Sequence, residues 1–386
     1  MQSAPITYLD HAAATPVANF VVAAMQPYLT DQFYNPSSPY APAIRVRHDY
    51  ETAKAEIAAV LGVKPDELVM TAGATESINL IITSVSGHVV TSSIEHQAVL
   101  AAAATHEHTF VQPDANGSIN PESITQALRP DTVLVSIALA NNELGTIQSL
   151  KDIAMALEAE RERRRIAHEP MPLYFHTDAS QCAGLLDLHV SRLGVDALTL
   201  NAGKVYGPKQ VGLLWAANYV RLQPVVVGGG QERGIRSGTE NVAGTIGFAK
   251  ALTVADQHRK AEAARLHQLR DTLRARLEQA FPWAVISGNP KKQLPNFLHI
   301  SFPGLDAERL LFALETMGVL VATGSACAAN KGTRSHVLTA IGMPPEVADG
   351  SLRISLGKLT DQAAVDRAAD CIISVVRAES QRVGNL

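Results

Sequence analysis

A chain of 386 residues, 46% hydrophobic and 18% charged, has the make-up of an ordinary globular protein with room for one large domain and a smaller one. A formal net charge of −4 lacks the basic excess of a nucleic-acid binder, and no stretch reaches the roughly 18 apolar residues of a membrane span. Three cysteines (Cys182, Cys327 and Cys371) are too few for a disulfide framework and lack zinc-knuckle spacing, and the 13 histidines form no HExxH-like pair. A metal-free protein of the reducing cytoplasm is expected, the more so because "MQSAPITYLDHAAATP" lacks the basic start and apolar run of a signal peptide.

In chain order, "AIRVRHDYETAKAEIAAVLG" (43–62) predicts an amphipathic helix stopped by Gly62. "ELVMTAG" reads as a strand and "ATESINLIITSV" as the helix after it. "HVVTSS" and "HQAVLAAAATH" repeat that order. "TVLVSIAL" is a buried strand, "LKDIAMALEAERERRR" a helix with a charged end, and "LYFHTD" and "ALTLNAG" are further strands. Such alternation implies βαβ units and a mostly parallel sheet. A long polar helix, "ADQHRKAEAARLHQLRDTLRARLEQAF" (255–281), changes the pattern. "AVISG", "NFLHISF", the helix "DAERLLFALETMG", "SLRISLG" and a last helix from Thr360 then describe a smaller α+β domain. The division expected is 12–250 for the large domain, and 1–11 with 251–386 for the small one.

Ligands of parallel α/β sheets bind at the carboxyl ends of strands, and several such ends carry chemistry. After "ELVM", the small residues of "TAGATES" and a helix starting near Thr75 make either an anion site or a plain cap. Asp178 ends "LYFHT", where its carboxylate either meets a ring nitrogen or caps a turn. Lys204 in "TLNAGKVYGPK" is either a Schiff-base amine or a solvated lysine. Phosphate cup, aspartate and lysine together are the set that pyridoxal phosphate needs. His96 also follows a strand and could stack on a ring and move protons. "ALANNELG" brings Asn141, Asn142 and Glu143 to a turn. "GGGQERGIRSGTEN" is a glycine-rich loop with Arg233, Arg236 and Thr239. Arg353 in "SLRISLG" faces either solvent or a cleft, where it would grip a carboxylate. Cys327 in "VATGSACAANKGTRSHVL" lies among small residues near a lysine and an arginine, a setting that favours a reactive thiolate over a buried inert thiol.

"YLDHAAATPV", "NPSS", "GATES", "EHQAVL", "NNELGTIQ", "HTDASQ", "GKVYGPK", "GGGQERGIRSGTEN", "GSAC" and "LRISLG" stand in the order found in cysteine desulfurases, and the chain resembles that family of the class V aminotransferase group from residue 8 to about 357. The resemblance implies an α/β protein of pyridoxal-phosphate fold type I, a homodimer with active sites at the subunit interface. It implies pyridoxal 5′-phosphate as cofactor, L-cysteine as substrate, and L-alanine and a Cys327 persulfide as products. By the same likeness Lys204 is the lysine that binds the cofactor. Asp178 is the partner of the pyridine nitrogen, Gln181 touches the ring hydroxyl, and His96 stacks on the ring and serves acid–base steps. Ala74 and Thr75 match the phosphate cup, and Thr239 the threonine lent by the other subunit. Asn142 and Arg353 match the binders of substrate carboxylate, and Cys327 the sulfur carrier. The loop after Cys327 resembles the longer-loop group, whose members feed iron–sulfur cluster assembly or tRNA thiolation.

Three departures stand out. Where the family has "SGHK", this chain has "NAGK", so Asn201 and Gly203 replace a serine and a histidine that hold phosphate. Asn201 keeps an amide donor; Gly203 has none, which leaves Thr239 or the loop arginines to complete the cup. His11 stands where many relatives have asparagine and is expected to contact substrate. Lys331 and Arg334 stand where acidic residues are frequent. The rival readings are a selenocysteine lyase, a class V aminotransferase or, from another class, a scaffold that no longer catalyses.

Overall fold

The computed structural model describes residues 6–324 and 334–384; Cys327 and Lys331 lie outside the described residues. The strands, in chain order, are β1 (Thr7–Tyr8), β2 (Leu68–Thr71), β3 (His88–Ser92), β4 (His108–Val111), β5 (Thr132–Ser136), β6 (Tyr174–Asp178), β7 (Ala197–Asn201), β8 (Gly212–Ala216), β9 (Val285–Ser287), β10 (Phe297–Ser301), β11 (Val319–Leu320) and β12 (Ser351–Ser355). A seven-stranded sheet has the order β2-β8-β7-β6-β5-β3-β4. All its pairings are parallel except those of β8, which runs antiparallel to β2 and β7. Because β8 is reversed against both neighbours, β2 points the same way as β7. The carboxyl ends of β2, β3, β5, β6 and β7 therefore open on one edge.

β3, β5 and β8 are buried along their whole length, and the apolar centres of β3 and β5 are what made those two legible as strands. Polar side chains within the sheet are paired, with the Thr177 hydroxyl an exception among the described residues. His176 is bonded to Ser136 at 2.8 Å and to Thr199 at 3.0 Å, and burial drives its pKa down to about 3, so it is neutral.

The helix expected over 43–62 runs Ala41–Leu61 and stops at Gly62, which is left-handed at φ +69°. The polar helix expected from residue 255 begins earlier. One helix of 39 residues runs Val242–Ala280, capped by Asn241, whose side chain accepts from the Gly244 N–H at 2.9 Å. Its first part, with Ala243, Gly244, Gly247, Phe248 and Leu252, is buried, so it lacks the polar face that marks the rest as helical. β4 and β8 carried no recognised signal. β8, "GLLWA", is short and apolar without alternation, and β4 is a half-exposed edge.

Two hydrophobic clusters flank this helix. Phe248 and Leu252 belong to the cluster around the large sheet, whereas Leu266, Leu269, Leu273 and Leu277 belong to the second. The second cluster packs on the antiparallel sheet β12-β10-β9 and includes Leu9, just after β1, which pairs with β11. Phe297, Val337, Leu338 and Ala348, late in the chain, close the first cluster.

Candidate functional site

The shared strand edge forms a cavity of about 250 Å³. It brings together Ala74, Thr75, His96, Asn142, Asp178, Gln181, Asn201, Lys204 and Arg353 from five strand ends of the large sheet and from β12. His11 and Thr239 are not in its wall. His11 faces an adjoining cavity, and Thr239 is exposed on its own chain.

Each wall group is held by local structure. After β2 the chain turns at Gly73 (φ +135°), a backbone region closed to other residues, and the helix Ala74–Thr83 begins without a side-chain cap. Its first N–H groups are therefore left to an anion, as a phosphate cup requires. Asp178 ends β6 and accepts the Ser180 N–H at 2.9 Å. Lys204 follows β7 through a short 3₁₀ turn capped by Asn201, whose Oδ1 accepts the Gly203 N–H at 3.0 Å. That bond turns the NH₂ end of Asn201 away from the turn, consistent with its place in the cavity wall. The Lys204 ammonium donates to the carbonyls of Ala12 at 2.7 Å and Ala13 at 2.6 Å, and Gln181 Nε2 donates to the same Ala12 carbonyl at 3.1 Å.

His96 caps the helix Gln97–Ala103. Its Nδ1 accepts the Ala98 N–H at 3.1 Å, which places the proton of the neutral ring on Nε2. Burial lowers its pKa, opposed by the Asp178 carboxylate. Arg353 is buried and not solvated. One of its guanidinium nitrogens pairs with Asp10 at 2.7 Å and the other donates to the Asn142 carbonyl at 3.1 Å, which fixes the fork in the cavity wall. Asn141 is a turn residue: its side chain bonds Ile94, Glu143 and Leu144.

Sequence reasoning passed over four groups. Asp10 orients Arg353. Glu95 is fully buried beside His96. It accepts from Ser92 Oγ at 2.6 Å and from the Ala138 N–H at 3.1 Å, and burial raises its pKa to about 7. Glu232 anchors the glycine-rich loop, accepting from Tyr50, from Lys54 Nζ at 3.0 Å and from the Met70 N–H at 3.0 Å. Ser180 Oγ, in the cavity wall, has no hydrogen-bond partner among the described residues, and neither has Arg353 Nε. No signal marked these in the sequence, except that Asp10 and Glu95 directly precede two singled-out histidines. Of the loop arginines, Arg236 is tied to Glu76 at 2.8 Å and Arg233 is exposed. Arg334 pairs with Asp349 at 2.7 Å.

The uncapped helix start, the carboxylate, the amine and the unpartnered Ser180 Oγ fit a pyridoxal phosphate: anchor, ring partner, aldehyde trap and a further donor. Among the described residues no cluster of metal-ligating side chains occurs, and no helix is long and apolar enough to cross a membrane.

The profile of the Aminotransferase class-V family matches residues 7–368. The "Cysteine desulfurase IscS" of Dictyoglomus turgidum is 38% identical over 381 residues, covering 96% of this chain and 94% of that one. Its namesake in Methanosarcina thermophila is 38% identical over 382 residues, covering 96% and 92%. A solved NifS-like protein superposes with a TM-score of 0.88 at 32% identity, over 97% of this chain and all of that one. A structure described as SspA in complex with cysteine superposes with a TM-score of 0.77 at 34% identity, over 91% and 98%.

Proposed function

Since the chain belongs to the class-V aminotransferase family and, within it, to the cysteine desulfurases, we propose that it takes sulfur from L-cysteine, releases L-alanine and carries the sulfur as a persulfide on Cys327. The observation that carries the reading is the single cavity that Lys204, Asp178, His96 and Arg353 line together. The solved relative in complex with cysteine supports the choice of substrate.

The family depends on pyridoxal 5′-phosphate, which when bound supplies an aldehyde for the substrate amine and a ring that accepts an electron pair. Lys204 would hold it covalently, Asp178 would face its ring nitrogen and Gln181 its ring hydroxyl. Ala74, Thr75 and Asn201 would take its phosphate. Arg353, fixed by Asp10, grips the substrate carboxylate together with Asn142. Lys204, once displaced by the substrate amine, moves the α-proton. His96, neutral with its proton on Nε2, can donate that proton towards the reacting atoms; in the other tautomer, with Nδ1 released from Ala98 and protonated, its Nε2 takes the proton of the Cys327 thiol. The Cys327 thiolate then attacks the substrate sulfur. An S–S bond forms, the C–S bond breaks, and its electron pair stays on carbon, which is protonated to give alanine.

A homodimer is supported by exposed apolar side chains in the first fifty residues, Phe20, Val22, Leu29, Phe33 and Ile44, and by the exposure of Thr239, available to a partner's phosphate cup. A division into 12–250 and 1–11 with 251–386 is supported by the two hydrophobic clusters. Cytoplasmic residence suits the sparse cysteines, and the acceptors would be an iron–sulfur scaffold or a tRNA-thiolation enzyme.

The test is release of alanine and sulfide from L-cysteine with a thiol reductant. Wild type is expected to release both in equal amounts, Cys327→Ser neither, and Lys204→Ala to lose the visible absorption of the bound cofactor. Full activity in Cys327→Ser, or a protein left colourless by the cofactor, would overturn the reading.

A further inference from the structure

Behind Lys204 and Gln181, which line both spaces, lies a second cavity of about 370 Å³. Its walls are largely alkyl: Leu185, Val205, Ala255, Leu266 and Leu356. Three polar side chains in these walls, His11, Thr15 and Asn296, are more than nine-tenths buried, and Thr15 is satisfied by the Gly203 carbonyl at 3.1 Å. His11 Nε2 and Asn296 Oδ1 have no hydrogen-bond partner among the described residues.

Both atoms are acceptors, and the bonds on their far sides show why. His11 Nδ1 meets the Ser355 carbonyl at 3.1 Å, so Nδ1 carries the ring proton and Nε2 a lone pair. Burial lowers the pKa of this ring, which keeps it neutral. Asn296 Nδ2 donates to the Leu356 carbonyl at 3.1 Å, which turns Oδ1 the other way. Buried acceptors are almost always satisfied, so this pair asks for a molecule that donates at least two hydrogen bonds.

The mouth has the opposite character. It carries His258, Glu262, Arg265 and Lys358. Arg265 is already held by Glu262 at 2.8 Å and by the carbonyls of Thr360 and Gly357. Lys358 lies over the Tyr206 ring, 4.7 Å from its centre, and forms no ion pair among the described residues. An anion at the mouth would meet Lys358.

Acceptors inside, alkyl walls and a cation at the rim suit a zwitterion with a short side chain. We propose that this cavity is a second site for a small α-amino acid, its ammonium on His11 Nε2 and Asn296 Oδ1 and its carboxylate at Lys358. L-cysteine and L-alanine share that chemistry, and only this choice of amino acids rests on the proposed reaction.

The test is calorimetric titration of the holoenzyme with L-alanine, followed in parallel by the cofactor's visible spectrum. A second titration uses L-2-aminobutyrate, which has the shape of cysteine without its sulfur; the tighter ligand names the source. Two molecules per chain are expected, one that perturbs the spectrum and one that is silent. Asn296→Leu and, at the exposed rim, Ala261→Phe should each weaken the silent site about tenfold or more and leave the spectral titration unchanged. One molecule per chain in wild type, or a silent site that survives both substitutions, overturns the proposal. Loss of the spectral site alone, with the silent one intact, would count against the reaction and leave this site standing.

Discussion

At the scale of single residues, two side chains carry consequences that can be measured. Gly203 stands between Asn201 and Lys204, where the family has a phosphate-binding histidine. A Cβ there would have Asn201 Oδ1 as its nearest neighbour, 3.4 Å away, an ordinary contact. Gly203→His should therefore fit and add a donor to the cup. The expected gain is about tenfold in affinity for pyridoxal phosphate, the worth of one hydrogen bond to a charged group, read by titrating the apo-protein. Unchanged or weaker binding would show that another group already fills the place. Glu95 is the second case. Its folded pKa of about 7 lies above the ordinary 4.5. Between those values the unfolded chain releases a proton that the folded chain keeps, so stability falls as pH rises through this window and this group changes nothing further above it. Glu95→Gln retains an acceptor for Ser92 and Ala138 but cannot ionise. Urea unfolding should find the variant close to wild type at pH 5 and more stable at pH 8, by up to about 3 kcal/mol. Equal stabilities at both pH values would mean that Glu95 ionises freely in the folded protein.

At the scale of elements, legibility followed burial. The parallel strands could be read because strands covered on both faces must be apolar throughout, and their carboxyl ends then located Asp178 and Lys204. β8 has the same composition, but nothing in "GLLWA" says that it runs backwards between β2 and β7. That reversal is what brings the phosphate-cup helix beside Lys204. Polar residues were harder. Arg353 occupies an alternating position open to either reading, and its bonds to distant Asp10 and to the Asn142 carbonyl hold it inside. Glu232 lies in what reads only as a glycine-rich loop; Tyr50 and Lys54 on the Ala41–Leu61 helix make it an anchor. His11 was expected to meet substrate, but its ring is turned to the space behind Lys204. In each case the missing information is a contact between distant segments, which neither periodicity nor local motif encodes.

At the scale of the whole molecule, the helix Val242–Ala280 joins the two hydrophobic clusters as a single rigid element. Between Ala255, the last residue it gives to the first cluster, and Leu266, the first it gives to the second, it has no side chain in either. That stretch lines the cavity behind Lys204 with Ala255, Ala261 and Glu262, so its continuity sets the spacing of the two cores and the shape of that space. Lys260 lies in it and is exposed, which makes it a clean place to break the helix without removing a packed side chain. Proline there deletes one backbone hydrogen bond and clashes with the preceding turn, at a cost of roughly 3 kcal/mol. If the helix couples the cores, wild type should unfold in one calorimetric transition and Lys260→Pro in two, with the second cluster melting first because it is the smaller and has less apolar surface to hold it. A single transition shifted to lower temperature would show instead that the contacts of Phe297, Val337 and Leu338 with the first cluster are enough to join the two halves.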